Sequence, residues 1–89
     1  EALSRYLAVE LAPKGINVNV VMAGTTDTQS LRKIPKHEEM LSDAKSKTPT
    51  GRIGHPDDVA NVVAFLCSEE SRWVVGQTIV ADGGYSLLA

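Results

Sequence analysis

The chain has 89 residues, of which 43% are hydrophobic and 22% charged, with a formal net charge of −2; this is the balance of a globular protein and excludes a disordered one. There is no basic excess to neutralise phosphates, so nucleic acid is not an expected partner. No apolar run approaches the roughly eighteen residues of a membrane span, no charged leader precedes one, and the lone Cys67 can close no internal disulfide; the expectation is a cytoplasmic, reducing setting without a membrane partner. This length leaves room for one hydrophobic core with little margin.

Leu3, Leu7 and Leu11 recur at i, i+4 and i+8 with Tyr6 beside them, which predicts a helix from the first residue. No Ser, Thr, Asp or Asn stands ahead of the stripe as a cap, so the chain reads as entering a helix midway and as a segment of something longer. Pro13 and Gly15 close that helix near Ala12. Ile16 to Met22 follows as an apolar, β-branched run with the composition of a strand covered on both faces, as in a parallel sheet. Asn17 and Asn19 interrupt it on one face, and structural support of a neighbouring loop is the expected role of Asn19. The run stops at Gly24 and opens into Thr25, Thr26, Asp27 and Thr28, either a surface turn or a ligand site at the strand's carboxyl end, where open α/β sheets bind ligands.

The thirty or so residues from Thr25 to His55 carry no strong strand signal, so they are expected to hold short helices, a function, or both. Thr28 to Ile34 forms a short turn with Leu31 and Ile34 on one side. Pro35 opens a second piece with Met40, Leu41 and Ala44 in a narrow apolar stripe. A segment packed so lightly can act as a lid, spanning about residues 25–50, or be a plain surface excursion. Pro49, Gly51 and Gly54 mark a turn-rich connector, in which Arg52 is expected to face solvent or brace loop carbonyls. Pro56 at the first helical position, Asp57 and Asp58 at the dipole's positive end, and the stripe Val59, Val62, Val63, Leu66, Cys67 predict a helix over Pro56–Cys67. A turn through Ser71, Trp73 and Gly76 leads to a second strand, Gln77–Asp82, closed by Gly83 and Gly84. Tyr85–Ala89 is a short tail. Two strands flanking a helix predict an α/β unit with a right-handed parallel crossover.

Complete catalytic sets are missing from the sequence. His37 and His55 have no ligand neighbours at metal spacing, so no metal site is expected. There is no GxSxG elbow and no GxxxxGK[ST] loop. Cys67 belongs to an apolar stripe and reads as a small core residue. A half-site remains.

Four separated stretches, LAVELAPKGINVN (7–19), AGTTDT (23–28), GRIGHPDDVANVVAFLCS (51–68) and GQTIVADGG (76–84), together resemble the C-terminal part of the short-chain dehydrogenase/reductase family. The resemblance implies a doubly wound parallel Rossmann sheet, with residues 16–22 and 78–82 as its last two strands and a helical lid between them, residues 1–89 being the C-terminal segment of a single Rossmann-type reductase domain. Ala23-Gly24 stands where most members carry Pro-Gly, a departure similar to the enoyl-[acyl-carrier-protein] reductase branch, and residues 27–41 resemble the lid of its Bacillus-type, NADPH-dependent members. By that resemblance the cofactor is NADPH or NADH. It would be bound by Ala23, Gly24, the Thr26 backbone at the nicotinamide carboxamide and the Thr28 hydroxyl, with Gly24 admitting close approach to the ring. Leu31, Ile34 and Met40 would line the acyl side of the lid, and the substrate would be carried by acyl carrier protein. Helix 56–67 and the last strand would join a homotetramer or homodimer. The family's catalytic Tyr and Lys would lie upstream of Glu1, leaving this segment no catalytic residue and no activity of its own. A 3-oxoacyl-[acyl-carrier-protein] reductase or another carbonyl-reducing member is the nearest alternative, and a non-catalytic oligomerising α/β module is a third.

Overall fold

The first helix, α1 (Ala2–Leu11), runs into a 3-10 turn at Ala12–Lys14, and Gly15 then takes a left-handed φ of 79°. Ile16 N–H reaches back to the Leu11 carbonyl at 3.2 Å, the six-to-one bond that closes a helix around such a residue. Strand β1 spans Val20–Ala23, and β2 spans Thr78–Ala81. They pair in parallel with Val20 opposite Thr78 and Ala23 opposite Ala81. The computed structural model describes residues 1–88; Ala89, the end of the expected tail, lies outside the described residues, and Tyr85–Leu88 form a 3-10 turn.

The first strand is shorter than the apolar run that predicts it. Residues 16–19 are not laddered, because opposite them the chain is a loop still turning toward β2 through Gly76, whose φ is 71°. One main-chain bond joins them there, Gly76 N–H to the Val18 carbonyl at 2.8 Å, and side chains add the rest. Asn17 Nδ2 donates to the Arg72 carbonyl at 3.1 Å; Asn19 Nδ2 donates to the Val74 carbonyl at 3.0 Å and its Oδ1 accepts from Gln77 N–H at 3.0 Å. The support expected of Asn19 is what the structure gives, with Asn17 added to it.

Between the strands lie three helices: α2 (Gln29–Arg32), α3 (His37–Lys47) and α4 (Pro56–Leu66). The second helix of this excursion begins at His37 and not at Pro35, since Pro35 and a left-handed Lys36 (φ 63°) form the turn, with His37 N–H bonded to the Ile34 carbonyl. Helix α4 packs against both strands, with Val59, Val62 and Leu66 half-buried. Cys67 caps its end and is exposed, not a core residue: it lines an open groove with Val21, Val63 and Leu66 that nothing among the described residues covers.

The expected single core does not form. Ala8, at 2% exposure against Gly76, and Ala44 are the buried apolar residues, while Leu3, Val9, Phe65, Val80 and Trp73, the last at 95%, stand exposed. Coverage of β1 on both faces is likewise absent, with Met22 about half exposed. The radius of gyration is 15.5 Å, against roughly 12 Å for a compact domain of this length. The surface area is 6721 Å², where a folded monomer of this mass exposes roughly 5,000 Å². No helix among the described residues is long and apolar enough to cross a membrane.

Candidate functional site

The two strands end side by side, and their carboxyl tips organise everything nearby. Ala23 closes β1 opposite Ala81, and Gly24 N–H continues the ladder to the Ala81 carbonyl at 3.1 Å. A Cβ on Gly24 would lie 2.7 Å from Asp82 Cβ and 2.9 Å from Asp82 Cα. Close strand approach therefore requires the glycine here, whatever else it admits.

Beyond Gly24 the threonine loop is pinned by a single residue from the distant connector. Gly54 N–H donates to the Thr25 carbonyl and Asp27 N–H donates to the Gly54 carbonyl, both at 2.9 Å, forming a parallel bridge between Thr26 and Gly54. In such a bridge the central residue turns its own N–H and C=O to the other side. Those two groups of Thr26 have no protein partner among the described residues. The Thr26 hydroxyl donates to the Gly24 carbonyl at 3.0 Å and so shapes the turn from within. A main-chain donor and acceptor are left side by side on the open edge.

Thr28 is the N-cap of α2, its Oγ1 accepting from Leu31 N–H at 3.1 Å. The hydroxyl proton stays available. Asp27 forms a two-pronged ion pair with Arg32, at 2.8 Å to Nε and 2.6 Å to Nη2, and this hydrogen bond holds its carboxyl below the ordinary carboxylate range. Helix α2 is thus fastened to the threonine loop at two neighbouring residues. It presents a half-buried Leu31, followed by exposed Ile34, with Met40 exposed on α3.

The far end of the excursion returns to the other strand. Thr50 N–H bonds to the Gly83 carbonyl at 3.3 Å, and Pro49 packs where a Cβ on Gly84 would sit at 3.1 Å. Gly83 and Gly84 have φ of 65° and 93°, the region that glycine enters without strain. Asp82 accepts from Ser86 N–H at 2.8 Å and Gly84 N–H at 3.0 Å, bonds that lower its pKa. A cavity of about 180 Å³ opens between the tips, with Gly24, Thr25, Arg52, Gly54, Asp58 and Asp82 in its wall. A complete ligand pocket measures roughly 300–1,000 Å³. The described residues enclose less than that.

Ala23, Gly24, Thr26 and Thr28 lie together at and just beyond the strand tips, while Leu31, Ile34 and Met40 lie on the excursion that follows. Sequence reasoning missed Gly54, Asp27 and Asp58. Gly54 reads as turn punctuation, since nothing local marks a glycine as the pairing partner of a residue so far away in the chain. No group of three or more His, Cys, Asp or Glu among the described residues could hold a metal ion.

Comparisons with known proteins bear on the family and the fold. The family model described as Enoyl-(Acyl carrier protein) reductase matches residues 1–86. An uncharacterized oxidoreductase of Methylorubrum extorquens is 48% identical over 84 residues, covering 93% of this chain and 34% of its own. The 3-oxoacyl-[acyl-carrier-protein] reductase FabG of Thermotoga maritima is 43% identical over 82 residues, covering 92% of this chain and 32% of its own. Among solved structures, the Bacillus cereus enoyl-acyl carrier protein reductase, crystallised with NADP+ and indole naphthyridinone, superposes with a TM-score of 0.88 at 32% identity, over 99% of this chain and 34% of that one. The chain spans about a third of the length of the relatives it matches. Its parallel strand pair and the helices around it fit the C-terminal part of the Rossmann fold of those enzymes. The chain belongs to the short-chain dehydrogenase/reductase family.

Proposed function

We propose that these residues are the nicotinamide-end and lid segment of an NAD(P)H-dependent reductase that saturates the carbon–carbon double bond of an enoyl thioester carried on acyl carrier protein. The observation that carries the reading is the open main-chain edge of Thr26, a donor and an acceptor held side by side at the tip of a parallel strand. A primary carboxamide offers the complementary acceptor and donor, so the residues present fit the nicotinamide end of the cofactor. When bound, the cofactor supplies the hydride.

The protein's part is orientation and cover. Thr26 fixes the carboxamide, and with it the face of the ring presented to substrate. Thr28 Oγ1 already accepts the Leu31 N–H and keeps its own proton to donate to the same end of the cofactor. Leu31, Ile34 and Met40 give the acyl chain an apolar surface and keep water from it. The acid that assists at the substrate oxygen is assigned to the part of the reductase outside these 89 residues, so the segment alone is inactive. NADPH is the proposed reductant, in line with the NADP+ of the Bacillus cereus structure. Assembly as a homotetramer or homodimer would cover Val63, Phe65 and Val80, each nearly half exposed on α4 and β2.

The likeness to the Thermotoga maritima enzyme favours a second reading, reduction of a 3-oxoacyl carbonyl at the same site. A single assay separates the two: the full-length reductase is given NADPH or NADH with crotonyl and acetoacetyl thioesters of acyl carrier protein. Preferential NADPH oxidation with the crotonyl thioester is expected. Turnover of the acetoacetyl thioester alone replaces the first reading by the second, and turnover of neither refutes both.

A further inference from the structure

We propose that Asp58 and Arg52 are positioning residues that set the Thr26 edge by clamping Gly54 against the threonine loop. Asp58 lies in the first turn of α4, yet its carboxylate gathers the chain on both sides of Gly54. Arg52, two residues before, forms a two-pronged ion pair with it: Nη1 to Oδ2 at 2.7 Å and Nη2 to Oδ1 at 3.0 Å. The same Nη1 also donates to the Ile53 carbonyl at 3.1 Å. His55, one residue after, donates its N–H to Asp58 Oδ2 at 2.7 Å. Gly54 is thereby held at the crown of a short arc whose two feet stand on one carboxylate.

The crown is what meets the loop. A Cβ on Gly54 would approach Thr26 Oγ1 to 3.3 Å and the Thr25 carbonyl to 3.4 Å, so the two chains lie close. The two bonds of the bridge fix Thr25 and Asp27, and by doing so aim the N–H and C=O of Thr26 outward. Among the described residues, nothing else from outside the loop bonds to its main chain between Thr25 and Asp27. A rotation of Gly54 therefore becomes a rotation of the Thr26 edge. A planar guanidinium on a carboxylate fixes direction as well as distance, which a lysine in its place does not.

The cofactor half of this inference rests on the proposed function; the mechanical half does not, and the test separates them. In the full-length reductase, Arg52→Gln, Arg52→Lys and Asp58→Asn are compared with Asp43→Asn, which breaks the remote Asp43–Lys47 pair on α3. The readouts are NADPH affinity by fluorescence titration, KM for each substrate, kcat, and hydrogen exchange at the Gly54 and Asp27 amides. Arg52→Gln is expected to raise Kd and KM for NADPH about three- to tenfold. KM for the thioester stays near wild type, and exchange at Gly54 and Asp27 accelerates while α1 is unchanged. Arg52→Lys falls between, Asp58→Asn follows Arg52→Gln, and Asp43→Asn does neither. Unchanged NADPH affinity with unchanged exchange overturns the proposal, as does an equal rise of both KM values. If the wild type binds neither NADPH nor NADH, the functional reading falls and takes the cofactor half with it. The exchange measurement then decides the clamp: acceleration at Gly54 and Asp27 upholds it, and no change overturns it.

Discussion

Replacing Gly24 with alanine puts one methyl group where β1 and β2 end together. The new Cβ would stand 2.7 Å from Asp82 Cβ and 2.9 Å from Asp82 Cα, against roughly 3.5–4.0 Å for carbons in favourable contact. The shortfall cannot be taken up by a flexible side-chain tip. Asp82 is held by its own carboxylate to Gly84 and Ser86, and Gly24 by its N–H to Ala81. The strands must part at their tips, an overpacking that costs about 1–3 kcal/mol. Gly15→Ala is the matched control, with open space around it but a left-handed φ of 79°; it is expected to cost about 1–2 kcal/mol through backbone strain alone. Both variants of the full-length reductase are followed by denaturant unfolding and by NADPH titration. Gly24→Ala should lose stability and NADPH affinity together, since Thr25 and Thr26 follow it directly, whereas Gly15→Ala should lose stability only. Wild-type stability and affinity in Gly24→Ala would refute the close-approach reasoning.

Thr28→Val removes both the helix cap and the proposed cofactor bond, and should weaken NADPH binding by about 0.5–3 kcal/mol, while Thr28→Ser retains most of it; unchanged affinity and turnover in the valine variant would count against the role. Asp58 has a pKa lowered far below its ordinary 3.8, first by Arg52 and then by His55 N–H, and Asp27 and Asp82 are lowered as well. Groups depressed on folding stabilise fully above their unfolded pKa and lose that contribution as pH falls through the folded value. Exchange protection at Gly54 should accordingly stay level from neutral pH down to about pH 4 and fall below it, a drop that Asp58→Asn makes shallower; a loss centred near neutral pH would contradict this. The 89-residue chain on its own, with Ala8 and Ala44 as the only buried apolar residues among those described, should melt broadly and bind a hydrophobic dye. A sharp, concentration-independent transition would oppose that expectation.

The features that local chemistry controls were legible in the sequence. Pro56, Asp57 and the valine stripe place α4, Gly15 ends the first helix, and the hydroxyl cluster marks the tip of β1. What was not legible depends on partners distant in the chain. The ladder of β1 starts at Val20 and not at Ile16 because the opposing segment is still turning through Gly76. Cys67 fits the apolar stripe by spacing yet falls at a helix end. Asp58 reads as one of two acids suited to a helix dipole, and its pairing with Arg52 appears only when the connector curls back. The apolar stripe of α1 is present as predicted, but most of it faces outward; periodicity states which residues seek cover and not whether cover is at hand.

The open edge of Thr26 is most directly tested by a crystal structure of the full-length reductase with NADP+ bound. The carboxamide of the nicotinamide should accept from Thr26 N–H and donate to the Thr26 carbonyl, with the Thr28 hydroxyl at the same end of the cofactor. A nicotinamide bound elsewhere, with the Thr26 main chain left to solvent, would contradict the assignment.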